Sequence, residues 1–307
     1  MQDQFVSRDK IQMPRVCVVV PVKNRLKETL RFLESFSKCS YPNFTIVIVD
    51  DKSSDGSPEV IKKERPETII LKGNGNLWWT GATNLGIKYA KRNDYEYILT
   101  INNDATVGPD LLTKLVDCSK KNPNSIIGSS IINAENNKIW GIGTTINWGA
   151  FKEQIFSLNF HGKPYSKIVK NIPNPYPVET LPGNGVLIPV RVFDKIGLYD
   201  SFWFPHYHAD SEIGLRAKRV GIRSLICTNA KVYNHDFKKR LFDKDFDLLI
   251  KKKSYLYWKP IFAIFMKYAP KEHKNKFVRQ YFFLYEDKKW YLLYKDIVRK
   301  IKNLFSK

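Results

Sequence analysis

Val16-Cys17-Val18-Val19-Val20 is an unbroken apolar run of strand length, and a strand without polar alternates has both faces covered. A parallel sheet sandwiched between helices supplies that environment. The pattern then repeats. Leu26, Leu30 and Leu33 fall at helical spacing and predict a helix from about Lys27 to Lys38. Thr45 to Val49 reads as a second buried strand, ended by Asp50-Asp51 and the turn-rich KSSDGSP. Thr68 to Leu71 is a third strand, followed by a break at Gly73-Asn74-Gly75-Asn76. Ala82 to Lys91 reads as a helix and Tyr97 to Ile101 as a fourth strand. Pro109 opens another helix, with Leu111, Leu112, Leu115 and Val116 as its apolar face. The class is therefore α/β, with a mostly parallel sheet flanked by helices.

The stretch from about Trp140 to Pro182 is irregular and rich in Gly, Asn, Pro and aromatics, as functional walls and lids are. Regularity returns with a strand at Val186 to Pro189 and helices at Val192 to Ile196 and Ala209 to Val220. Gly221 caps the last of these, and Ala230 to Tyr233 is a further strand. Beyond it the composition changes. Lys238 to Lys307 holds 20 Lys and Arg against 7 Asp and Glu, a net +13 of the chain's +21, with fourteen aromatics between Tyr255 and Tyr294. The expected division is an α/β domain over 1–236 and a basic, aromatic helical extension over 237–307, interrupted by Pro260 and Pro270.

A chain of 307 residues with 43% hydrophobic and 14% aromatic residues is neither disordered nor collagen-like. Four scattered cysteines without a CxxC argue against a disulfide framework or zinc ribbon and fit a reducing compartment. Met1 to Pro14 shows no apolar signal region, and no run approaches the ~20 apolar residues of a spanning helix. A cytoplasmic protein, soluble or peripheral on the inner face of the membrane, is expected. The net charge calls for nucleic acid, an anionic membrane or an anionic substrate, and composition alone does not choose.

In open parallel sheets, ligands bind outside the carboxyl ends of the strands. Pro21-Val22-Lys23-Asn24, Asp50-Asp51 and Asp104 all fall at such ends. One carboxylate can accept a hydrogen bond from a base or ribose, and another can hold a divalent cation against phosphates. A nucleotide crevice is one reading; the other is that strand-end aspartates cap turns. Trp78, Trp79, Trp140 and Trp148 offer flat faces for sugars, or ordinary core burial.

VVVPVKNR, IVIVDDKSSDGS, Gly81-Ala82-Thr83-Asn84, LTINNDA and HADSEIGLR resemble, in order and spacing, the nucleotide-sugar glycosyltransferases of family 2 with the GT-A fold. The resemblance runs from Arg15 to His235, about three quarters of the chain. It implies that Pro21, Asn24, Gly81 and Asn84 line the nucleotide-sugar pocket, and that Asp51 takes the base while Asp50 supports the turn. Asn102-Asn103-Asp104 stands where the metal-binding DxD is found, with Asn102 replacing the first acid, so Asp104 is the one anionic ligand of that motif. His235 matches a late metal ligand, and the ion would be Mg²⁺ or Mn²⁺. Asp210 matches the general base, with Ala209 where relatives carry another acid. Glu212 fits a role beside the base or a simple helix-terminal acid. Gly183, Asn184, His208, Trp78 and Trp79 fall to the acceptor or sugar sites.

The resemblance implies an inverting, metal-dependent hexosyl- or rhamnosyltransferase of bacterial surface-polysaccharide type. Its donor would be a UDP-, dTDP- or GDP-sugar, and its acceptor a glycan or lipid-linked hydroxyl. Two rivals are weaker. A sugar-phosphate nucleotidyltransferase would carry a glycine-rich loop after the first strand, which VPVKNR lacks. A nucleic-acid-binding protein would suit the basic tail, but no such module is present and acidic strand ends repel phosphate. For the tail itself, docking on an anionic membrane and packing on the catalytic domain or across a homodimer both stay open.

Overall fold

Side chains of strand β1 (Val16–Val22) alternate between two cores, Val16, Val18 and Val20 on one face of the sheet and Cys17 and Val19 on the other, which is why the run has no polar member. The computed structural model describes residues 13–149, 155–235, 257–275 and 299. Helix α1 (Leu26–Phe36) leads to β2 (Phe44–Asp50), α2 (Ser57–Glu64), β3 (Ile69–Lys72), α3 (Trp78–Arg92) and β4 (Tyr97–Thr100). Strands β3, β2, β1 and β4 lie side by side in that order, all parallel.

Then follow β5 (Ala105–Val107), α4 (Leu111–Lys121), β6 (Ser125–Asn133), β7 (Ile139–Gly141), β8 (Thr144–Ile146), β9 (Phe156–Leu158), α5 (Tyr165–Ile168) and β10 (Tyr176–Val178). The described chain continues with β11 (Val186–Pro189), α6 (Val190–Ile196), α7 (Ala209–Arg219), β12 (Arg223–Asn234) and α8 (Trp258–Tyr268). Strand β11 is antiparallel to both β4 and β6, so β6 and its parallel partner β12 run in the same sense as β1. The carboxyl ends of β1, β2, β4, β6 and β12 therefore share one edge, and the start of β11 joins them there.

Helices α1 and α4 cover one face through Phe32, Phe36, Leu112 and Leu115; α3, α6, α7 and α8 cover the other. Helix α3 lies tightly against β1 because residue 86 is glycine: a Cβ there would sit 2.3 Å from Val19 Cγ1. Gly221 takes φ +76 after α7, the left-handed stop its position predicts.

Two expectations are corrected, and two elements form unannounced. Helix α3 starts four residues before the expected Ala82, so that Trp78 and Trp79 form its first turn. Helix α2 follows directly on the expected KSSDGSP turn without being announced; Pro58 near its start and buried Ile61 account for it. Pro260 does not interrupt α8, because it is the third residue of the helix, where no amide needs an intrahelical acceptor. Strand β6, nine residues long, has no apolar run to announce it, since Gly128, Ser129 and Ser130 break the pattern.

Helix α8 is the longest element described in the basic extension. Its Trp258, Ile264 and Phe265 are buried in the same core as α7, with Trp148 edge-on to Phe265 at 5.6 Å. For this segment, packing on the catalytic fold accounts for the aromatics. Pro270 does interrupt the extension, since α8 ends at Tyr268 and helical turns resume only at 271–275. The other expectations for 237–307 fall on residues outside the described ones. Among the described residues no helix is long and apolar enough to cross a membrane.

Candidate active site

The first two strand ends are stitched to each other. Asn24, at φ 53, accepts from the Ser54 amide through Oδ1 at 2.7 Å, while its own amide donates to Ser53 Oγ at 2.9 Å. Pro21 sits half-buried in β1 just before this junction. Asp51 is buried and turned toward the following loop: Oδ1 accepts from the Gly75 amide at 2.7 Å, and Oδ2 from Leu77 at 3.0 Å and Trp78 at 3.4 Å. Lys23 reaches the same carboxylate at 3.9 Å and donates to Gly75 O at 2.6 Å. Asp51 thus holds residues 75–78 in place beside the strand ends. Asp50 accepts from the Ser53 amide at 3.2 Å through Oδ2, and among the described residues its buried Oδ1 has no hydrogen-bond partner.

The Asn102-Asn103-Asp104 segment divides its side chains three ways. Asn102 Oδ1 accepts from Trp79 Nε1 at 3.0 Å, and the Asn102 amide donates to Asn184 Oδ1 at 3.0 Å. Asn103 turns inward and donates to Thr29 Oγ1 at 2.9 Å. Asp104 faces the edge, with Arg25 Nη1 at 3.4 Å from Oδ2. The His235 amide donates to the Asp104 carbonyl at 3.3 Å, so the two expected metal ligands are neighbours through the β5–β12 pairing. The His235 ring contacts Thr106, Nε2 to Oγ1 2.8 Å. Burial, with Arg31 adding to it, holds the imidazole below the ordinary 6.5, which favours the neutral, ligand-competent form.

No group of three or more His, Cys, Asp and Glu side chains converges among the described residues. The donor set present is one carboxylate, one neutral imidazole and a nearby amide oxygen. That fits a hard cation that takes one or two protein ligands and completes its shell with substrate phosphates and water.

His208 takes φ 66 and turns the chain into α7, so Asp210 lies in the first helical turn. Asp210 Oδ2 accepts from the Gly183 amide at 2.8 Å, and Oδ1 from the Ser211 amide at 2.9 Å. Residue 183 must be small: a Cβ there would lie 3.0 Å from the Trp79 ring and 3.1 Å from Asp210 Cβ. Trp79, Asn102, Asn184, Gly183 and Asp210 therefore form one connected wall. Tyr199 stands edge-on to Trp79 at 5.5 Å; burial first, and then the Asp210 charge, push its phenol well above the ordinary 10 and keep it neutral.

Other expected residues lie apart from this wall. Asn84 is buried and pairs with the Tyr199 backbone, donating to its carbonyl at 2.8 Å and accepting from its amide at 3.1 Å. Gly81 lies inside the first turn of α3, bonded to Leu77 O at 3.0 Å. Glu212 is 2% exposed and held by Arg216 and by Tyr268, each at 2.6 Å. His208 is buried with its ring 5.2 Å from Phe156, and Trp78 sits edge-on to His206 at 6.0 Å. Arg25 is a residue sequence reasoning passed over, and Lys23 is one it placed at this edge without a role. Their signal was present, since both follow β1 directly in VPVKNR.

A model described as glycosyl transferase family 2 matches residues 17–173. The poly(ribitol-phosphate) beta-glucosyltransferase of Bacillus spizizenii is 30% identical over 118 residues, 36% of this chain and 18% of that protein. The N-acetylglucosaminyl-diphospho-decaprenol L-rhamnosyltransferase of Mycobacterium tuberculosis is 22% identical over 220 residues, 67% of this chain and 71% of that one. Among solved structures, GalNAc-T7 with UDP, GalNAc and Mn²⁺ superposes with a TM-score of 0.66 at 16% identity, over 88% of this chain and 51% of that chain. That likeness is one of fold. The chain spans less than a fifth of the glucosyltransferase and about half of the solved structure.

Proposed function

Since the chain belongs to glycosyl transferase family 2, we propose that it moves a sugar from a nucleoside diphosphate to a hydroxyl of a surface glycan or its lipid-linked precursor, inverting the anomeric centre. Asp210 is the general base, and its placement is the observation that carries the reading. Both carboxylate oxygens are oriented by backbone amides, one from its own helix and one from the loop before β11. A base so oriented can take the acceptor proton as the oxygen attacks. Among the described residues no second carboxylate joins the wall formed by Trp79, Asn102, Asn184, Gly183 and Asp210, so a single displacement suits the site better than a covalent intermediate.

In this reading Pro21, Asn24, Asp50 and Asp51 shape the nucleotide side of the crevice. Trp79, Gly183 and Asn184 shape its sugar side. Asp104 and His235 would hold the divalent cation, which would neutralise charge on the leaving diphosphate. Catalysis is assigned to 1–236, with 237–307 as an appended basic region that brings the enzyme to an anionic membrane bearing a lipid-linked acceptor. The rhamnosyl- and glucosyltransferase relatives support a hexosyl-type donor and an envelope glycan.

The test is a panel of UDP-, dTDP- and GDP-sugars with Mg²⁺ or Mn²⁺, comparing the native chain with Asp210→Asn. Asn keeps an acceptor for the Gly183 amide but cannot take a proton. Turnover should fall by roughly 10²–10⁴-fold while donor affinity holds. Equal turnover in the variant, or no transfer from any donor, would overturn the reading.

A further inference from the structure

The turn between β6 and β7, the start of α5 and the end of β12 enclose a cleft of about 370 Å³ beyond the transfer edge. Asn136, Asn137 and Lys138 form its turn wall, closed by the Asn133 amide donating to Lys138 O at 2.8 Å. Tyr165 stands opposite, its ring fixed because its hydroxyl donates to Thr228 O at 2.8 Å. Lys231 and Tyr233 line it from β12. The Lys231 ammonium lies 5.4 Å from the Tyr165 ring centre and 5.8 Å from that of Tyr233.

Lys231 is half-buried, and neither it nor Lys138 has a carboxylate partner among the described residues. Held between two aromatic faces, the Lys231 ammonium is placed to receive an anion entering the cleft. Glu135, the acid of the same turn, is exposed and does not line the cleft; its charge is felt at His235 instead. The lining of the cleft thus carries two lysines and no acid.

Its remaining chemistry suits a sugar. Tyrosine rings offer flat apolar faces to C–H groups, and the two asparagine amides can both donate to and accept from hydroxyls. The cleft is also aligned with the active site. Pairing of β12 with β6 is regular from Lys231 to Asn234, so Lys231, Tyr233 and His235 follow one another on one face of the strand. Tyr233 is two residues, about 7 Å, from His235 at the edge.

We propose that this cleft binds an anionic saccharide unit of the acceptor, a sugar bearing a phosphodiester or a carboxylate, a short oligosaccharide's reach from the transfer edge. Calling the ligand an acceptor rests on the glycosyltransferase reading; the binding itself does not.

Calorimetric titration of the full chain with four probes tests it: a glycerol-phosphate oligomer, an oligogalacturonate and a malto-oligosaccharide of equal length, and inorganic phosphate. At least one anionic oligomer should bind about tenfold or more tighter than the neutral one, and which of the two does so identifies the anion. Lys231→Gln should remove that advantage while leaving the unfolding midpoint and acceptor-free donor hydrolysis unchanged. Equal binding of neutral and anionic oligomers, native-like binding by Lys231→Gln, or inorganic phosphate binding as tightly as the oligomers would each overturn the proposal. A chain that binds the anionic oligomer through Lys231 but transfers no sugar would overturn the transferase reading and leave this site standing.

Discussion

The Tyr268 hydroxyl donates to Glu212 Oε1 at 2.6 Å, tying α8 to the helix whose first turn carries Asp210. Arg216 takes the other oxygen of the same buried carboxylate at 2.6 Å. Arg219 stacks over the Tyr268 ring at 4.3 Å and donates to the Lys267 carbonyl, and Lys267 reaches Asp200 at 3.0 Å. The start of the basic extension is therefore part of the scaffold that positions Asp210, the proposed base. Burial, reinforced by the bond to Glu212, raises the Tyr268 phenol above its ordinary value, so it remains a donor at physiological pH.

Tyr268→Phe removes that donor without leaving a void. A hydrogen bond to a charged group contributes about 1.5–3 kcal/mol, and a loss of that size is expected in urea unfolding. Turnover should fall with donor affinity unchanged, because α7 loses an anchor on the acceptor side. An unaltered unfolding midpoint would mean that Arg216 alone holds Glu212.

Asp104→Ala leaves the core intact, since the side chain faces the edge and not either hydrophobic cluster. Metal-dependent transfer should disappear while the thermal midpoint moves by less than about 1 kcal/mol equivalent. Excess EDTA should reproduce the loss in the native chain. Full activity in EDTA would remove the cation from the mechanism.

Asp51→Ala strips three amides of the 75–78 loop of their acceptor. The expected cost is about 2 kcal/mol or more in stability, with weakened donor binding, because the loop lies beside the strand ends. Denaturant unfolding and donor titration read the two effects separately. If donor affinity fell with stability unchanged, Asp51 would serve the base directly and not the loop.

Asp55 organises the turn before α2. It accepts from the Leu26 amide at 3.1 Å through Oδ2, and from Ser57 Oγ at 2.6 Å and the Ser57 amide at 3.1 Å through Oδ1. Burial pushes its pKa up, but these hydrogen bonds outweigh it and hold the group below the ordinary 3.8. A depressed carboxylate contributes stability above its unfolded pKa and loses it as pH falls through the folded one. Asp55→Asn should therefore destabilise the chain at neutral pH and lose that difference below 3.8. Parallel melting curves of the two proteins across the acid limb would show it.

What the sequence determined by itself was the frame: buried strands, helices on both faces, and acids gathered at the strands' carboxyl ends. Those follow from local periodicity and chain direction, which the polypeptide carries in its order. The order alone also placed Asp104, Asp210 and His235 around one edge through the resemblance. It could not say which partner each polar side chain would take, because partners lie far apart in the chain. Asn84 meets the Tyr199 backbone 115 residues away, and Glu212 meets Tyr268 across 56. Asp51 serves its neighbouring loop, since a buried carboxylate satisfies itself with the nearest amides. Strand β6 was hidden because Gly128 at its centre clears space for Leu181 and Ile226, a demand of the packed core. The unbalanced Lys231, between two tyrosines from different elements, exists only once α5 and β12 have come together.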